Sequence, residues 1–309
     1  MPEDLPLIGH DDILRFDEIE LIAEAAAVCG IQHLKVTGGE PLVRKGTPKL
    51  CRRLKAIDGI ETVTLTTNGL LLEQNLPELI EAGIDGINVS LDTLSREKYQ
   101  AVTGFDKLED VRRAIDKSVA AGIPTKINVA VMGGVNTDEV IPLAELAKTE
   151  KLHVRFIEMM PIGHGTAFQS YDNHAVLAAI RQKYPQIARD DKKLGSGPAS
   201  YYHIPGFLGD IGFISAVNHK FCDACNRMRL TSTGLLKYCL CYEDGIDLKA
   251  ILRPEDRQRP FVGEGAVRLE KEKLLERAFK EAIAMKPEAH CFDKKQKISE
   301  HRNMSQIGG

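Results

Sequence analysis

Tryptophan is absent from the 309-residue chain, and aromatic residues make up only 6% of it. Nucleic-acid-binding surfaces usually combine aromatic side chains with a basic stripe, but this chain has a net charge of −3. Its most apolar stretch, residues 21–30, contains Glu24 and is too short to span a bilayer. The first residues, MPEDLPLIGHDD, do not place an apolar run after a cationic segment, as a signal peptide would. We therefore expect no nucleic-acid partner and no membrane association.

Cysteine usage points to a reducing compartment. The seven cysteines are an odd number, and several of them cluster late in the chain. Such usage is typical of a cytosolic metal protein and not of an oxidised, secreted one. The hydrophobic fraction of 43% and the charged fraction of 28% are those of a soluble globular protein. A cytoplasmic location is therefore predicted.

Four segments of the first half share one pattern: a helix with apolar residues at helical spacing, a glycine, and a short β-branched strand. The glycines that would end these helices are Gly30, Gly59, Gly83 and Gly122. Residues 139–160 form a fifth unit. This alternation predicts parallel strands joined by right-handed crossovers, in either an open doubly wound sheet or a barrel. The first recognisable element is a helix at roughly residues 15–29, so the pattern begins in the middle of a unit.

Small and polar residues follow every predicted strand. These segments are TGGEP (37–41), TTNG (66–69), SLD (90–92), GGVN (133–136) and EMMPIG (158–163). Ligands of parallel α/β folds bind at the carboxyl ends of the strands. Turn formation explains one such loop well enough, but five in succession predict a shared binding site.

The pattern changes at about residue 165. The second half predicts a helix stopped by Pro185, a Gly-rich and aromatic segment, a hairpin turning at Gly234 and a charged amphipathic helix near residues 270–285. Because no low-complexity linker separates the halves, we expect them to pack closely. The predicted division is into residues 1–165 and 166–309.

Three cysteines form the most specific motif. Cys222 and Cys225 make a C-x-x-C pair, and the hairpin would return Cys239 beside it. Zinc would be completed by His219 or Cys241 as a fourth ligand. An iron–sulfur cluster would instead leave one iron open to water or substrate. Three buried structural cysteines are a third and less favoured interpretation. Cys29, Cys51 and Cys291 stand singly in helices or a tail and are interpreted as ordinary packing or surface residues.

Two arginines lie directly beside this motif. Arg227 and Arg229 alternate with Met228, so both would point to one face of a strand. Guanidinium groups suit bidentate contact with phosphate. Surface solvation is the usual fate of such a pair, but next to an open metal position the pattern favours a phosphate site.

The order of the motifs TGGEPLVR, TTNG, NVSLDTL, KINVAVMGGVN, RFIEMMPIG, CDACNRMRLTSTGLLKYCL and the terminal GG resembles that of radical S-adenosylmethionine (SAM) enzymes. More narrowly, the chain resembles the GTP 3′,8-cyclase family, which acts first in molybdenum cofactor biosynthesis. The resemblance covers nearly the whole chain. It implies an α/β fold: a partial (β/α)6 TIM-type barrel lacking its first strand, with a C-terminal α+β extension that carries the cysteine cluster.

The resemblance also implies roles for individual residues. SAM would contact Gly38, Gly39, Glu40, Ser90 and Met160. GTP would contact Lys35, Thr66, Lys126, Arg227 and Arg229, and Lys35 stands where the family more often has Arg. A [4Fe-4S] cluster would be held by Cys222, Cys225 and Cys239, with its open iron at the guanine, while the tail Gly308 and Gly309 would reach into the active site. The implied partners are an electron donor, the next enzyme of the pathway and a second copy in a homodimer.

One family feature is missing. Radical SAM enzymes hold a SAM-cleaving [4Fe-4S] cluster with C-x-x-x-C-x-x-C, and no such motif occurs in these 309 residues. The chain resembles a cyclase that begins just past this motif and its first strand. We therefore expect GTP binding without SAM cleavage, and an exposed, aggregation-prone sheet edge beside residues 33–36. The alternatives are a catalytically inactive GTP-binding iron–sulfur protein and a zinc-stabilised structural module.

Overall fold

The structure is a computed structural model that describes residues 8–192, 194–218, 221–254, 264–292 and 294–307. Its helices are α1 (Phe16–Val28), α2 (Thr47–Lys55), α3 (Leu72–Glu81), α4 (Arg96–Thr103), α5 (Leu108–Ala120), α6 (Val140–Thr149), α7 (Asn173–Lys183), α8 (Leu248–Leu252), α9 (Glu264–Ala284) and α10 (Met304–Ile307). Its strands are β1 (His33–Val36), β2 (Thr62–Thr67), β3 (Gly86–Ser90), β4 (Thr125–Gly133), β5 (Leu152–Glu158), β6 (Gln169–Ser170), β7 (Ala188–Asp190), β8 (Ser200–His203), β9 (Ile211–Ile214), β10 (Arg229–Leu230), β11 (Leu235–Lys237) and β12 (Gly245–Asp247).

Nine of the described strands form one sheet. Its order is β1-β2-β3-β4-β5-β9-β8-β7, with β6 paired to β4. Neighbours from β1 to β5 and on to β9 are parallel, whereas β8 and β7 continue antiparallel. The predicted parallel α/β architecture is thereby confirmed. The order is that of an open sheet, in which β1 lies at one edge and pairs with β2, and three strands beyond residue 165 extend the other end.

The predicted helix ends are confirmed as well. Gly30 follows α1 with φ 87°, and Gly122 follows α5 with φ 75°. Side chains other than glycine rarely adopt this left-handed conformation, which turns the chain from the end of a helix into the next strand. The repeated Gly-Ile step therefore works as a helix stop.

The two faces of the parallel sheet differ in polarity. In β2, Val63 and Leu65 are fully buried, whereas Thr64 and Thr66 alternate with them and are only half-buried. The same alternation places Ile87 and Val89 of β3 in the main core, against the helices. One face thus packs with the helices, and the opposite face is left to polar side chains.

A second, three-stranded sheet lies in the C-terminal half. The hairpin β10–β11 turns at Gly234 (φ 93°), as predicted, and β12 adds to its second arm. Its apolar face packs with α8, α9 and the outer face of α1, in a cluster that includes Ile22, Leu236 and Phe279. This shared cluster confirms the expected close packing of the two halves. Among the described helices, none is both long and apolar enough to cross a membrane.

Candidate functional site

The polar face of the sheet brings together residues from four successive strands, β2 to β5. Lys126 of β4 lies opposite Asn88 of β3, which in turn lies opposite Thr66 of β2. Two residues after Lys126 in β4, and so on the same face, Asn128 lies opposite Arg155 of β5. Side chains at such paired positions point to the same face of a sheet. The strands therefore form a platform of amides and cations.

Arg155 is the most buried cation of this platform, with 6% of its surface exposed. Its Nε donates to Asn128 Oδ1 at 2.9 Å, and its Nη2 donates to Asn88 Oδ1 at 2.5 Å. Burial lowers the pKa of Arg155, and a hydrogen bond with Tyr201 opposes that shift. Within the described residues, no carboxylate forms an ion pair with Arg155. A buried cation held only by neutral groups favours an anionic ligand.

Two lysines share this positive environment. Burial, followed by the charges of Arg155, Lys126, Arg227 and Arg229, lowers the pKa of Lys35 to about 7. The Lys35 side chain is nevertheless exposed, so solvent screens part of this effect. For Lys126, burial and the charge of Arg155 lower the pKa to about 8, and its Nζ donates to the Leu194 carbonyl.

The structure thus brings four of the predicted GTP contacts into one cationic cluster and adds a fifth cation, Arg155. We call Lys35, Lys126, Arg155, Arg227 and Arg229 the cation cluster. Each like charge penalises the protonation of the others, so the cluster gains most from a ligand with several negative charges. Thr66, the remaining predicted contact, accepts a hydrogen bond from Asn88 Nδ2 at 3.3 Å and lies beside the cluster.

The two arginines of the hairpin occupy different positions. Arg229 lies in β10, and burial together with the charge of Arg227 lowers its pKa to about 10, against the opposing effect of Cys239 and Cys225. Arg227 precedes β10, and its guanidinium carbon lies 4.8 Å from the centre of the Phe221 ring. The prediction that both arginines share one face of a strand was wrong, because the strand begins only at Arg229.

The three predicted cysteine ligands are half-buried at the base of the hairpin. Cys222 Sγ accepts the His290 backbone N–H at 3.3 Å, and Cys225 Sγ accepts from Lys286 Nζ at 3.6 Å. Burial acts to raise the pKa of Cys225, but the backbone N–H and charge of Arg227 and the charge of Lys286 lower it. These two cysteines and Lys286 line an open cleft of about 470 Å³. Thiols in such surroundings are suited to ligate metal as thiolates.

The zinc interpretation of the cysteine site depends on His219 or Cys241 as a fourth ligand. In the part of the chain that the structure describes, no three His, Cys, Asp or Glu side chains are grouped to hold one metal ion. His219 lies outside the described residues. Cys241 is fully buried with its Sγ 2.9 Å from Cys291 Sγ, so Cys291 is not the isolated residue that was predicted. In a four-iron cluster the thiolates bind different irons, so its cysteines need not converge on one point.

The predicted SAM residues lie on the rim of the sheet. Gly38 and Gly39 form a bend after β1, and Ser90 is exposed at the end of β3. Met160 follows β5 and packs on the small core that also includes Cys239. The rim loop after β5 and the cysteine hairpin therefore meet in one apolar cluster. Gly308 and Gly309 lie outside the described residues.

The carboxylate of Glu40 forms hydrogen bonds with two rim loops. It accepts hydrogen bonds from the Leu42 N–H at 3.0 Å, the Thr67 hydroxyl at 2.8 Å and the Asn68 N–H at 2.7 Å. The side chain thus holds the loop after β1 against the loop after β2. This arrangement fixes the loop that carries the adjoining glycines.

Replacing Glu40 with Gln should destabilise the fold, since an amide offers one acceptor oxygen and turns its NH2 group toward N–H donors. We expect the free energy of unfolding to fall by about 1–3 kcal/mol in urea titrations. Glu78→Gln, at an exposed position of α3, should change it by less than about 0.5 kcal/mol. Equal effects of the two substitutions would contradict the clamping role of Glu40.

Sequence reasoning missed Arg155, its amide partners Asn88 and Asn128, and Lys286. A signal existed for Arg155, because a charged residue inside the otherwise apolar run VRFI is costly without a role. The two asparagines stand at polar positions of the strand segments GINVS and KINVAV. Nothing in the local sequence of Lys286 connects it with Cys225, which lies 61 residues earlier.

Comparison with known proteins identifies the family to which the chain belongs. Residues 3–147 match the family model of the Radical SAM superfamily, and residues 152–292 match that of Molybdenum Cofactor Synthesis C. The chain is 43% identical to the GTP 3′,8-cyclase of Heliobacterium modesticaldum, with 100% of this chain and 92% of that protein covered. It is 41% identical to the GTP 3′,8-cyclase of Pelotomaculum thermopropionicum, over the same shares of both chains.

Among solved structures, the fold is similar to that of Streptococcus suis SuiB bound to S-adenosylmethionine. The TM-score is 0.58 at 13% identity, over 83% of this chain and 57% of that one. At this identity the likeness concerns the fold alone. The identity to the two cyclases and the two family models confirm the family indicated by the motifs. The chain therefore belongs to the GTP 3′,8-cyclase family within the radical SAM superfamily.

Proposed function

We propose that this chain binds GTP as a radical SAM GTP 3′,8-cyclase of molybdenum cofactor biosynthesis, whose product is (8S)-3′,8-cyclo-7,8-dihydroguanosine 5′-triphosphate. The observation that carries the proposal is the cation cluster, in which Arg155 lies buried among amides. The lowered pKa of Lys35 supports a site that lacks enough negative charge of its own. A triphosphate supplies that charge.

In this proposal the cation cluster holds the triphosphate of GTP. The two hairpin arginines reach it from the C-terminal extension, and the two lysines reach it from the barrel strands. Thr66 supplies a hydroxyl at the edge of the cluster. Arginine forks bind phosphate oxygens in pairs, whereas lysines act as point charges. Nucleotide binding would thus join the two halves of the chain.

SAM would bind at the rim, with its amino end at Gly38, Gly39 and the loop clamped by Glu40. Ser90 would contact its carboxylate, and the backbone near Met160 would contact its adenine. Support comes from the shared location of these residues at the carboxyl ends of β1, β3 and β5. The finer fold proposal is a partial (β/α)6 barrel without its first strand, divided from the extension at residues 165/166.

Cys222, Cys225 and Cys239 would hold a [4Fe-4S] cluster. When bound there, the cluster supplies one iron with an open position for the guanine of GTP. The cationic surroundings of the thiols support thiolate ligation. Gly308 and Gly309 would complete the site from the C-terminal end.

These 309 residues contain no C-x-x-x-C-x-x-C motif for the cluster that cleaves SAM. For a polypeptide of these residues alone, we propose GTP binding without turnover. This is also what a catalytically inactive GTP-binding iron–sulfur protein would do. An electron donor, the next pathway enzyme, a homodimeric assembly and a cytoplasmic location remain predictions.

The test is anaerobic reconstitution followed by iron, sulfide and GTP measurements. We expect about four irons and four sulfides per chain, as for one cubane cluster. Cys239→Ser should lose most of this iron, whereas Cys29→Ser, the matched control outside the motif, should keep it. Equilibrium dialysis should show much tighter binding of GTP than of guanosine. About one zinc in place of iron, or equal affinity for the two ligands, would overturn the proposal.

A further inference from the structure

Lys286 lies two residues beyond the end of α9 and connects it to the cysteine hairpin. Its ammonium group donates to the Arg227 carbonyl at 2.8 Å and to the Tyr238 carbonyl at 3.3 Å. The third contact is Cys225 Sγ at 3.6 Å. An ammonium group has three N–H donors, so these contacts use all of them.

These partners lie on both arms of the hairpin. Arg227 follows Cys225 by two residues on the first arm, and Tyr238 directly precedes Cys239 on the second. One ammonium group therefore sets the spacing between two of the proposed ligands. Within the described residues, no carboxylate forms an ion pair with Lys286. Its positive charge is therefore directed at the thiol site.

The same contacts have an electronic consequence. A cation and an N–H donor beside a ligating sulfur stabilise the more negative, reduced form of a cluster. They also weaken the tendency of the thiolate to take up a proton and leave the iron. The ammonium group of Lys286 has no free electron pair, so Lys286 would not ligate iron.

We propose that Lys286 is a positioning residue for the iron–sulfur site: it holds the two arms of the cysteine hairpin together and raises the reduction potential of the cluster through Cys225. This inference rests on the proposed function, since it assumes a cluster at Cys222, Cys225 and Cys239. It assigns a role to a residue outside the cysteine motif. The role concerns cluster retention and potential, which are measured without turnover.

The experiment compares Lys286→Met, which removes charge and donors at similar size, with Lys286→Arg, which keeps both. Lys280→Met, at an exposed position of α9, is the matched control. The readouts are the midpoint potential of the reconstituted cluster by redox titration with electron paramagnetic resonance, and the rate of iron release to a chelator. We expect Lys286→Met to shift the potential to more negative values and to speed iron release severalfold. Lys286→Arg and Lys280→Met should stay near the wild-type values.

A second measurement uses the metal-free protein, so that the hairpin role is judged independently of the cluster. Hydrogen–deuterium exchange of residues 226–239 should quicken in Lys286→Met and in Lys286→Gln, which retains a donor without the charge. Unchanged exchange, potential and iron release would overturn the proposal. If the wild-type protein takes up no iron, the proposed function and the cluster role of Lys286 are both overturned. If the wild type takes up iron normally and the Lys286 variants match it in exchange, potential and iron release, only the role of Lys286 is overturned.

Discussion

GTP should bind to the metal-free chain at least tenfold more weakly at pH 9 than at pH 7. The physical cause is the loss of positive charge from two lysines with lowered pKa values, about 7 for Lys35 and about 8 for Lys126. A lysine is charged below its pKa, and a bound triphosphate raises that pKa by stabilising the charged form. For each pH unit above the lysine pKa in the GTP-free protein, the fraction of protein with that lysine protonated falls by up to about tenfold.

The charges around these lysines do not reverse the expected sign. Guanidinium groups keep their charge in this range, and even the lowered pKa of Arg229, about 10, lies above it. The terminal phosphate, with a second pKa of about 6, gains a little negative charge above pH 7, and that acts in the opposite direction. Weaker binding at high pH would therefore report on the lysines.

Lys35→Arg provides the matched control for this titration, because its guanidinium keeps its charge throughout the range. Calorimetry in buffers of different ionisation enthalpy should detect proton uptake on GTP binding by the wild type at pH 8, and less uptake by Lys35→Arg. Guanosine, which has no phosphate, should bind with little dependence on pH. Identical pH profiles for the wild type and Lys35→Arg would show that Lys35 does not face the triphosphate.

Replacing Lys237 with Met should lower the free energy of unfolding by up to about 3–5 kcal/mol, because it leaves a buried carboxylate with only Arg302 of its two described cationic partners. Lys237 and Glu300 have no exposed side-chain surface and form an ion pair. Lys237 Nζ also donates to the Tyr242 carbonyl at 2.6 Å, and Arg302 Nη2 donates to Glu300 at 2.9 Å. Lys237 lies close to the cysteines in sequence, but it serves this buried cluster.

This ion pair attaches the C-terminal segment to the hairpin. The same segment reaches the rim of the sheet, where Asn303 Oδ1 accepts the His164 N–H at 3.1 Å. Lys249→Met, which removes an exposed pairing with Asp12, should cost no more than about 1 kcal/mol. The double variant Lys237→Met with Glu300→Leu should be less destabilised than Lys237→Met alone. Urea titration of the four proteins checks these values, and similar costs for Lys237→Met and Lys249→Met would refute the expectation.

The pH dependence of stability offers a further check on this pair. Burial acts to raise the pKa of Glu300, but hydrogen bonds from Arg302 and Lys237 outweigh it and lower the pKa to about 2. A lowered carboxyl pKa contributes stability that is present above the unfolded value of 4.5 and is lost as the pH falls toward 2. The stability difference between the wild type and Glu300→Gln should therefore shrink below about pH 4.

Much of the fold follows from local patterns. The Gly-Ile steps at the ends of α1, α2, α3 and α5 and the hairpin at Gly234 were predictable, because backbone conformation and hydrophobic periodicity are properties of adjacent residues. The motifs were sufficient to name the family and four of the five members of the cation cluster. The short length of β10 was not predictable, and for that reason the shared face of Arg227 and Arg229 was predicted wrongly.

The electrostatics of the site arise only when distant strands meet. Arg155 looks like an isolated charge in a strand until β3 and β4 supply Asn88 and Asn128 to hold it. The lowered pKa of Lys35 depends on cations more than ninety residues away along the chain. Charge interactions and desolvation follow distances in space, which local sequence does not encode. The chain's order of residues therefore specified which elements form and which family they belong to, whereas tertiary packing set the charge state of the site and the task of each cation in it.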